Sequence, residues 1–468
     1  MVSHFPNQIS TRAIITYLIS LAIVSVLYFT YAMSLGYVFL GIVSVVGFFV
    51  GSNQWSMNER TVPEQRFLRH LFLVAFFVRL IWVIFSYFYY LEATGTPFDF
   101  GAMDAIGYHE TASILYLEPW SLVFECFFGP GAQGVSDSGY ALYLTFLYKI
   151  FGPNLLVPRI LKAFISSFTC ILIYRLATRS FGEDSGRIAA IMTALMPNFI
   201  LYCGYHLKET EMIFLEVAFL ERTDSLLRGK KFNLWKLIVP TLLAGTLFLF
   251  RTVLGAAAVF AFATATLVSS SPTMKAGARR FAIIGWGILC LVVLSGGVIM
   301  TEANSYWEDR DDNASTKRLE QTMRGNRWAK YAVGPVMAPM AFVLPFATMV
   351  DVDQQYGQQE KSGGNFVRNF MGFFAILGVY EAIRRKKWRD FSLIGAFILS
   401  YLGIVAMSGF SNSERFLLPG LPCLIMLWVY GISTLRLKTY RFLTPWCIVV
   451  VLMEVGWAFF KLGSRGLF

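Results

Sequence analysis

Long apolar runs separated by short loops rich in lysine and arginine recur along the whole chain. A helix needs about 20 mainly apolar residues to cross the hydrocarbon core of a bilayer. Helices suit that environment because they hydrogen-bond all of their own backbone groups. Of the 468 residues, 56% are hydrophobic and only 15% are charged, a balance that a soluble domain could not bury. The sequence therefore predicts an all-α polytopic membrane protein.

The apolar runs predict about thirteen transmembrane helices. They lie near residues 12–32, 35–51, 70–91, 158–178, 186–206, 210–227, 234–250, 253–270, 281–301, 369–383, 391–409, 416–435 and 442–460. Basic clusters orient these spans, because lysine and arginine are retained on the cytoplasmic side. The predicted cytoplasmic loops are 52–69, 228–231, 275–280, 384–389 and 436–441. The net charge of +11 is explained by such loops, so we expect membrane lipids and no nucleic acid as partners.

Four regions follow from this pattern. Residues 1–66 form a transmembrane hairpin with a cytoplasmic loop, and 67–301 form a transmembrane core with a first outer loop at 92–157. Residues 302–368 form an outer, periplasmic segment, and 369–468 form the C-terminal transmembrane helices. The apolar piece at 334–350 contains three prolines, which is poor material for a spanning helix. We expect it to be an interfacial or re-entrant segment.

The first outer loop carries the strongest functional signal. From Leu80 to Tyr148 the chain has no lysine or arginine but several carboxylates, which indicates the non-cytoplasmic side. Residues 140–151 are mostly apolar but too short to cross, so they predict a helix lying at the outer interface. The polar stretch GAMDAIGYHETA, Gly101–Ala112, places Asp104 one helical turn before a cluster of further polar residues. We expect the chemistry here.

The predicted topology gathers polar residues from distant segments at the outer face. Cationic side chains fixed near a membrane surface suit a phosphate-bearing lipid head group, and a nearby carboxylate can take a proton from an incoming hydroxyl. The candidate catalytic residues are Asp104, His109 and Glu110. The candidate substrate- or phosphate-binding residues are Tyr108, Arg159, His206, Lys208, Glu209, Arg251, Glu414 and Arg415. Together they predict group transfer from a lipid phosphate to an acceptor.

Each candidate also has a structural interpretation. Asp104 could be a helix N-cap, Lys208 and Glu209 could form a simple interfacial ion pair, and Arg251 could snorkel to the membrane surface. Arg79 and Arg159 are better interpreted as partners of loop carboxylates. Asp104, His109 and Glu110 are usable metal ligands, but no spacing requires a metal. No metal site or cofactor is assigned, and a divalent metal stays an alternative. The six cysteines are scattered without a CxxC pair, which is typical of small buried hydrophobes.

The order of several segments resembles a known family. The segments are DAIGYHETA, GYALYLTFLYKIFGPN followed by Arg159, LIYRLATRSFGEDSGRIAA, MPNFILYCGYHLKET, LLAGTLFLFRTVLGAAAVF and, near the end, SERFLLPGLPCLIML. In this respect the chain resembles the lipid-carrier-dependent glycosyltransferases of the GT-C fold. Those include protein O-mannosyltransferases, aminoarabinose transferases and the bacterial RgtA/B/C/D-like group. The resemblance is strongest from about Asp104 to Phe260.

The resemblance implies an inverting enzyme of the bacterial inner (plasma) membrane, with its active site on the periplasmic face. It would move a sugar from a polyprenyl-phosphate carrier to a glycan, lipid or protein acceptor. Asp104 would activate the acceptor, and Lys208, Arg251 and Arg415 would hold the carrier phosphate. Many relatives carry adjacent acids in the first loop, whereas Ala105 follows Asp104 here, so a second carboxylate from Glu110 is open. The hairpin at 12–51 is an addition to the family pattern.

Two other functions compete with this interpretation. One is a polymerase or ligase of lipid-linked glycans. The other is a transporter or flippase of a lipid-linked sugar, which would place coupling charges near the bilayer midplane on broken helices, often within paired repeats. Here the charges lie mostly at the ends of spans and no repeat is evident, which favours the enzyme.

Overall fold

A computed structural model describes residues 3–129, 136–229, 235–268, 340, 342–352, 356–387, 390–407, 413–435 and 439–463. The helices of this part, numbered in chain order, are α1 (Asn7–Leu27), α2 (Leu35–Glu59), α3 (Glu64–Thr94), α4 (Met103–Leu115), α5 (Trp120–Phe128), α6 (Ser138–Phe151), α7 (Leu156–Phe181), α8 (Glu183–Leu195), α9 (Pro197–Gly204), α10 (Glu209–Leu227), α11 (Trp235–Phe250), α12 (Thr252–Val268), α13 (Tyr356–Glu360), α14 (Ser362–Arg384), α15 (Ser392–Met407), α16 (Glu414–Leu417), α17 (Leu421–Ser433) and α18 (Leu443–Gly463). Short 3-10 turns occur at Phe29–Tyr31, Leu418–Gly420 and Thr439–Phe442.

The described helices confirm an all-α, multi-pass membrane protein. Within the described ranges, seven helical segments are long and apolar enough to cross a membrane, or up to eight if α8 and α9 form one span bent by 42°. The bend coincides with Pro197, which lacks a backbone N–H donor. Each predicted span except one overlaps a described helix or helix pair. Span 281–301 lies outside the described residues, so the count of thirteen stays a prediction.

Some helices run beyond the predicted spans. Helix α14 begins at Ser362, seven residues before the span predicted near 369–383. Its first two turns, SGGNFVR, are largely buried inside the protein. Because these residues are mostly polar or small, their hydropathy gives no signal for a membrane span. Likewise α2 and α3 run beyond the predicted spans. Most of the polar stretch at 101–112 forms α4.

Helices α3, α7, α8, α9 and α10 pack together as the core that supports the outer loop. Arg79 of α3 is fully buried within this core. Its guanidinium donates hydrogen bonds to Ser166 Oγ at 2.8 Å and to the carbonyl oxygen of Ala194 at 2.9 Å. It therefore ties α3 to α7 and α8. The prediction that Arg79 partners a loop carboxylate is wrong, because its N–H groups donate to these neutral acceptors within the bundle.

The first outer loop folds into α4, α5 and α6. Gly95 ends α3 in a left-handed conformation with φ 76°, and Gly152 ends α6 with φ 75°. Helix α6 lies where the sequence predicts a short interfacial helix, and it packs against both α4 and α11. Its buried face includes Tyr140, Leu144 and Tyr148. This packing fixes α4 over the ends of the core helices.

The N-terminal hairpin packs against the C-terminal part of the chain. Helix α1 contacts α18, and α2 contacts α8 and α14. The loop between α1 and α2 pairs with the described segment 342–352, because Ala32 and Val350 form an antiparallel bridge and Asp351 N donates to the Tyr31 carbonyl at 2.7 Å. The described residues 342–352 are not helical. Most of the stretch before them lies outside the described residues, so an interfacial or re-entrant segment at 334–350 stays a prediction.

Candidate active site

Asp104 lies in the first turn of α4, where the helix dipole stabilises a negative charge. Its Oδ2 accepts a hydrogen bond from Arg415 Nη1 at 2.5 Å. The side chain of Asp104 nevertheless stays 57% exposed, against 25% for Arg415. At 3.6 residues per turn, Tyr108 follows on nearly the same face of the helix. The carboxylate is thus held by a cation yet remains accessible.

Arg415 also connects Asp104 to a buried carboxylate. Its Nε donates to Glu209 Oε1 at 2.7 Å, and the same oxygen lies 3.7 Å from Arg251 Nη2. Glu209 is fully buried at the start of α10, so its charge is balanced by two guanidinium groups. Arg251 lies over the Phe416 ring at 4.4 Å. Four residues far apart in the sequence therefore meet at one place.

A second ion pair joins Lys208 and Asp137. The carboxylate of Asp137 contacts Lys208 Nζ, and Lys208 also donates to the Phe250 carbonyl at 2.8 Å. Lys208 is 2% exposed and Asp137 is 54% exposed. Burial, reinforced by the nearby Arg251 guanidinium, lowers the pKa of Lys208 well below its ordinary value. The pair repeats the arrangement of Asp104 and Arg415, with an accessible carboxylate in front of a more buried cation.

These two carboxylates face a groove of about 770 Å³ between α4, α5 and α6. Asp104, Tyr108 and Asp137 line its polar part. Ile114 and Phe127 belong to its apolar part. A groove with one polar and one apolar portion suits an amphipathic ligand whose polar group needs orientation. Arg415 and Lys208 do not line the groove, because they lie behind the carboxylates that they bind.

His109 faces a different neighbourhood. Its Nδ1 lies 2.8 Å from Tyr148 Oη, and the same hydroxyl lies 3.3 Å from His206 Nε2. Phe98 packs edge-on to His206 and tilted against His109. Burial lowers the pKa of His109, which favours the neutral imidazole. His109 and His206 thus belong to a packed cluster behind α4 and not to the groove.

Three other predicted residues also lie away from the groove. Glu110 is exposed, about 120° around α4 from Asp104. Arg159 is fully buried and donates through Nη2 to the Pro97 carbonyl at 2.5 Å. It also lies close enough to Asp99 for the two charges to interact, as expected for a partner of a loop carboxylate. Glu414 accepts a hydrogen bond from Asn198 Nδ2 and does not line the groove.

The possible metal ligands do not converge. With about 3.6 residues per turn, His109 and Glu110 each lie more than about 100° around α4 from Asp104. The three side chains therefore point in different directions. Among the residues that the structure describes, no group of three or more His, Cys, Asp or Glu side chains could hold a metal ion. The described geometry supplies cationic side chains at the site instead.

Sequence reasoning missed several residues of this region. Asp137 is part of the acidic loop, and only its position before α6 and its contact with Lys208 distinguish it. Lys162 is a lysine on the buried face of α7. A charged residue within a predicted span indicates a functional site, so the sequence alone could have identified it. Its Nζ lies 3.7 Å from Glu211 Oε2 and donates to the Tyr205 carbonyl at 2.9 Å. Lys361 contacts Glu414 from a segment that carried no sequence signal.

A comparison with known protein families supports the resemblance stated above. Residues 139–299 match the family model described as dolichyl-phosphate-mannose-protein mannosyltransferase, which is 161 of the 468 residues. This match confirms the predicted resemblance to lipid-carrier-dependent glycosyltransferases over that range. The range includes Arg159, Lys208, Glu209 and Arg251 but neither Asp104 nor Arg415.

Among solved structures, the chain is similar to the archaeal oligosaccharyltransferase AglB from Archaeoglobus fulgidus, in complex with an inhibitory peptide and a dolichol-phosphate. The two sequences are 13% identical, and the TM-score is 0.48. The similarity covers 86% of this chain but only 56% of that chain, so this protein spans about half the length of that relative. No curated protein matches the chain.

Proposed function

We propose that this protein is an integral membrane glycosyltransferase that moves a sugar from a polyprenyl-phosphate carrier to a glycan, lipid or protein acceptor. The observation that carries the proposal is the pair of accessible carboxylates, Asp104 and Asp137, each backed by a cation along one groove. The family match over residues 139–299 supports the same class of reaction. The predicted orientation places the groove on the outer face, which we propose is the periplasmic face of a bacterial inner membrane.

The transfer is a single displacement at the anomeric carbon. An acceptor hydroxyl or amine attacks that carbon, and the bond from the carbon to the phosphate oxygen breaks. The carrier phosphate leaves with the bonding electron pair, and the acceptor proton passes to the Asp104 carboxylate. One displacement inverts the configuration of the sugar. A general base in this position typically contributes about 10² to 10⁴ in rate.

The cations hold the carrier phosphate. A phosphate entering the groove competes with Asp104 for Arg415 and with Asp137 for Lys208, because the same donors serve both partners. Charge-assisted hydrogen bonds of this kind contribute roughly 1.5–3 kcal/mol each. Release from Arg415 leaves Asp104 a stronger base at the moment when the donor is bound. Arg251 does not line the groove. It helps Arg415 to neutralise the buried Glu209 carboxylate.

Cys126 allows a direct test of donor binding. It is exposed and lines the groove. The other five cysteines, Cys170, Cys203, Cys290, Cys423 and Cys447, would be replaced by serine or alanine. A membrane-impermeant maleimide added outside spheroplasts should then label Cys126. Added polyprenyl phosphate should slow this labelling, whereas polyprenol without phosphate should not. In the Arg415→Ala variant, the same protection should require about tenfold or more polyprenyl phosphate.

Equal labelling rates with and without polyprenyl phosphate would contradict binding in this groove. Labelling only after the membrane is permeabilised would contradict the outer location.

Release of the carrier separates an enzyme from a flippase. In membranes containing the wild-type protein, mass spectrometry should detect polyprenyl phosphate freed from endogenous lipid-linked sugars. Membranes with Asp104→Asn should not release it. A flippase would move the lipid-linked sugar with its glycosidic bond intact, so release equal to that of empty-vector membranes would reject the transferase.

A further inference from the structure

Two neighbouring side chains hold helix α16 to different elements. Arg415 reaches Asp104 of α4 and Glu209 of α10. The adjacent Glu414 accepts a hydrogen bond from Asn198 of α9. Its second oxygen, Oε2, lies 3.7 Å from Lys361 Nζ. The α-helical turn spans only Glu414–Leu417, so a shift of Glu414 would also move Arg415.

Lys361 sits between α13 and α14, and two aromatic rings surround its ammonium group. Nζ lies 5.2 Å from the centre of the Tyr202 ring and 5.0 Å from that of Tyr205. Only 16% of its side chain is exposed, and 11% of the Glu414 side chain is exposed. Aromatic faces stabilise a cation that has little access to water. The ammonium group is therefore confined beside the Glu414 carboxylate.

The backbone around Lys361 is also fixed. The preceding residue, Glu360, is buried and accepts hydrogen bonds from Tyr90 Oη at 2.5 Å and Tyr205 Oη at 2.9 Å. On the following side, a Cβ on Gly363 would lie 2.9 Å from the Gly41 carbonyl oxygen. Helix α2 of the N-terminal hairpin thus presses directly against the start of α14. This contact gives the hairpin a structural role in holding the Lys361 turn.

We infer that Lys361 is a positioning residue for carrier binding, acting through Glu414 to hold Arg415 in place. Removing one partner of a poorly solvated ion pair is strongly unfavourable. Without Lys361, Glu414 would keep Asn198 and the more distant charge of Arg368 but lose its ion-pair partner. Without Lys361, Glu414 would turn toward water and draw α16 away from Asp104 and Glu209. The consequence for carrier binding rests on the proposed function, but the coupling between Lys361 and Glu414 does not.

The test uses Lys361→Met, Lys361→Arg and a matched control, Lys236→Met, at an exposed position of α11. Affinity for polyprenyl phosphate is measured from the concentration that protects Cys126, and thermal unfolding is followed in parallel. Lys361→Met should weaken binding by about tenfold. Lys361→Arg should stay within about threefold of the parent, because the charge is kept. Lys236→Met should not differ from the parent.

Double variants distinguish positioning from general support. In an Arg415→Ala background, Lys361→Met should have no further effect on affinity, because it acts through Arg415. Combining Lys361→Met with Glu414→Gln should recover part of the lost thermal stability, because neither charge is then left alone.

The outcomes separate this inference from the proposed function. If Lys361→Met lowers the unfolding temperature but leaves the affinity of the folded protein unchanged, Lys361 is merely structural and the inference is wrong. Additive losses in the Arg415→Ala background would also overturn it. If polyprenyl phosphate never protects the parent, the proposed function fails. The thermal double-mutant cycle then decides whether Lys361 and Glu414 are coupled, and a coupling of zero would overturn the inference as well.

Discussion

Two faces of α4 differ although they arise from one short stretch of sequence. Asp104 faces an open groove and binds Arg415, which comes from near the C-terminal end of the chain. His109 faces Tyr148 and His206 inside a packed cluster. The first face offers a charge that a substrate can reach, and the second offers neutral polar groups that already bond to each other. Proximity in sequence therefore does not give these residues a common role.

The largest expected effect is at the groove face. Asp104→Asn keeps the size of the side chain but cannot accept a proton, so turnover should fall by about 10² to 10⁴. Carrier affinity should be retained or improved, because Arg415 loses a charged competitor. Turnover is measured as carrier release per folded protein. Retention of more than about a tenth of parent turnover would mean that Asp104 is not the base.

Glu110→Gln is the matched control on the same helix. It should cost much less than Asp104→Asn, because Glu110 is exposed on another face of α4. An equally severe loss would break the comparison between the faces and indicate that the two carboxylates act together. Added chelator should then abolish the activity of the parent protein, which would point to a bound metal.

A smaller effect, on carrier binding, is expected at Arg251, which does not line the groove. Arg251→Ala should weaken polyprenyl-phosphate binding by about tenfold, because Arg415 is left as the one guanidinium group beside Glu209 in the described geometry. Arg251→Lys should recover only part of the affinity, since it keeps the charge but loses the planar fork. Affinity is read from the protection of Cys126. Unchanged affinity in both variants would make Arg251 a membrane-interface anchor.

The opposite face of α4 should affect stability more than catalysis. Tyr148→Phe removes the hydroxyl that lies between His109 and His206, at a cost of about 1–3 kcal/mol in stability because buried polar groups lose a partner. Turnover per folded protein should stay within about threefold of the parent. A loss of turnover as large as that of Asp104→Asn, without loss of stability, would place this cluster in the chemistry.

The smallest expected effect is a pH dependence of the same cluster. Burial lowers the pKa of His109 from 6.5, with Arg159 acting in the same direction and Glu110 against it, while Tyr148 and His206 face the ring. Its stabilising contribution is therefore fully present above pH 6.5 and is lost as the pH falls through the lower folded-state value. The unfolding temperature should fall between about pH 7 and pH 5, and His109→Gln should reduce that slope. An unchanged slope would remove His109 as the cause.

Hydropathy predicted most of the helices because the length of an apolar run is a local property of the sequence. It does not mark the start of α14 at Ser362, because polar residues there are buried by neighbouring helices. The orientation of the spans by charge predicted that Asp104, Glu209, Arg251 and Arg415 lie close together, because it places the ends of these spans at the same depth in the membrane. It could not predict that Glu414 binds Asn198 and Lys361 and does not line the groove, because the rotation of a short helix is set by its tertiary contacts.

Asp137 is a second residue whose role depends on tertiary contacts. Only its contact with Lys208, about 70 residues further along the chain, identifies its carboxylate as part of the site. A single sequence has no signal for such a pair unless a motif records it. The separation of His109 from Asp104 follows from helical periodicity. The prediction places the two residues one helical turn apart but does not distinguish the faces on which they lie.

The most direct measurement is a density map of the Asp104→Asn variant incubated with a polyprenyl-phosphate-linked sugar, where slow turnover should preserve the donor. We expect the phosphate within hydrogen-bonding distance of Arg415 and Lys208, and the anomeric carbon beside the substituted side chain at position 104. The lipid should leave the groove past α5 and α6. A head group bound elsewhere, with the substituted side chain still against Arg415, would contradict the account.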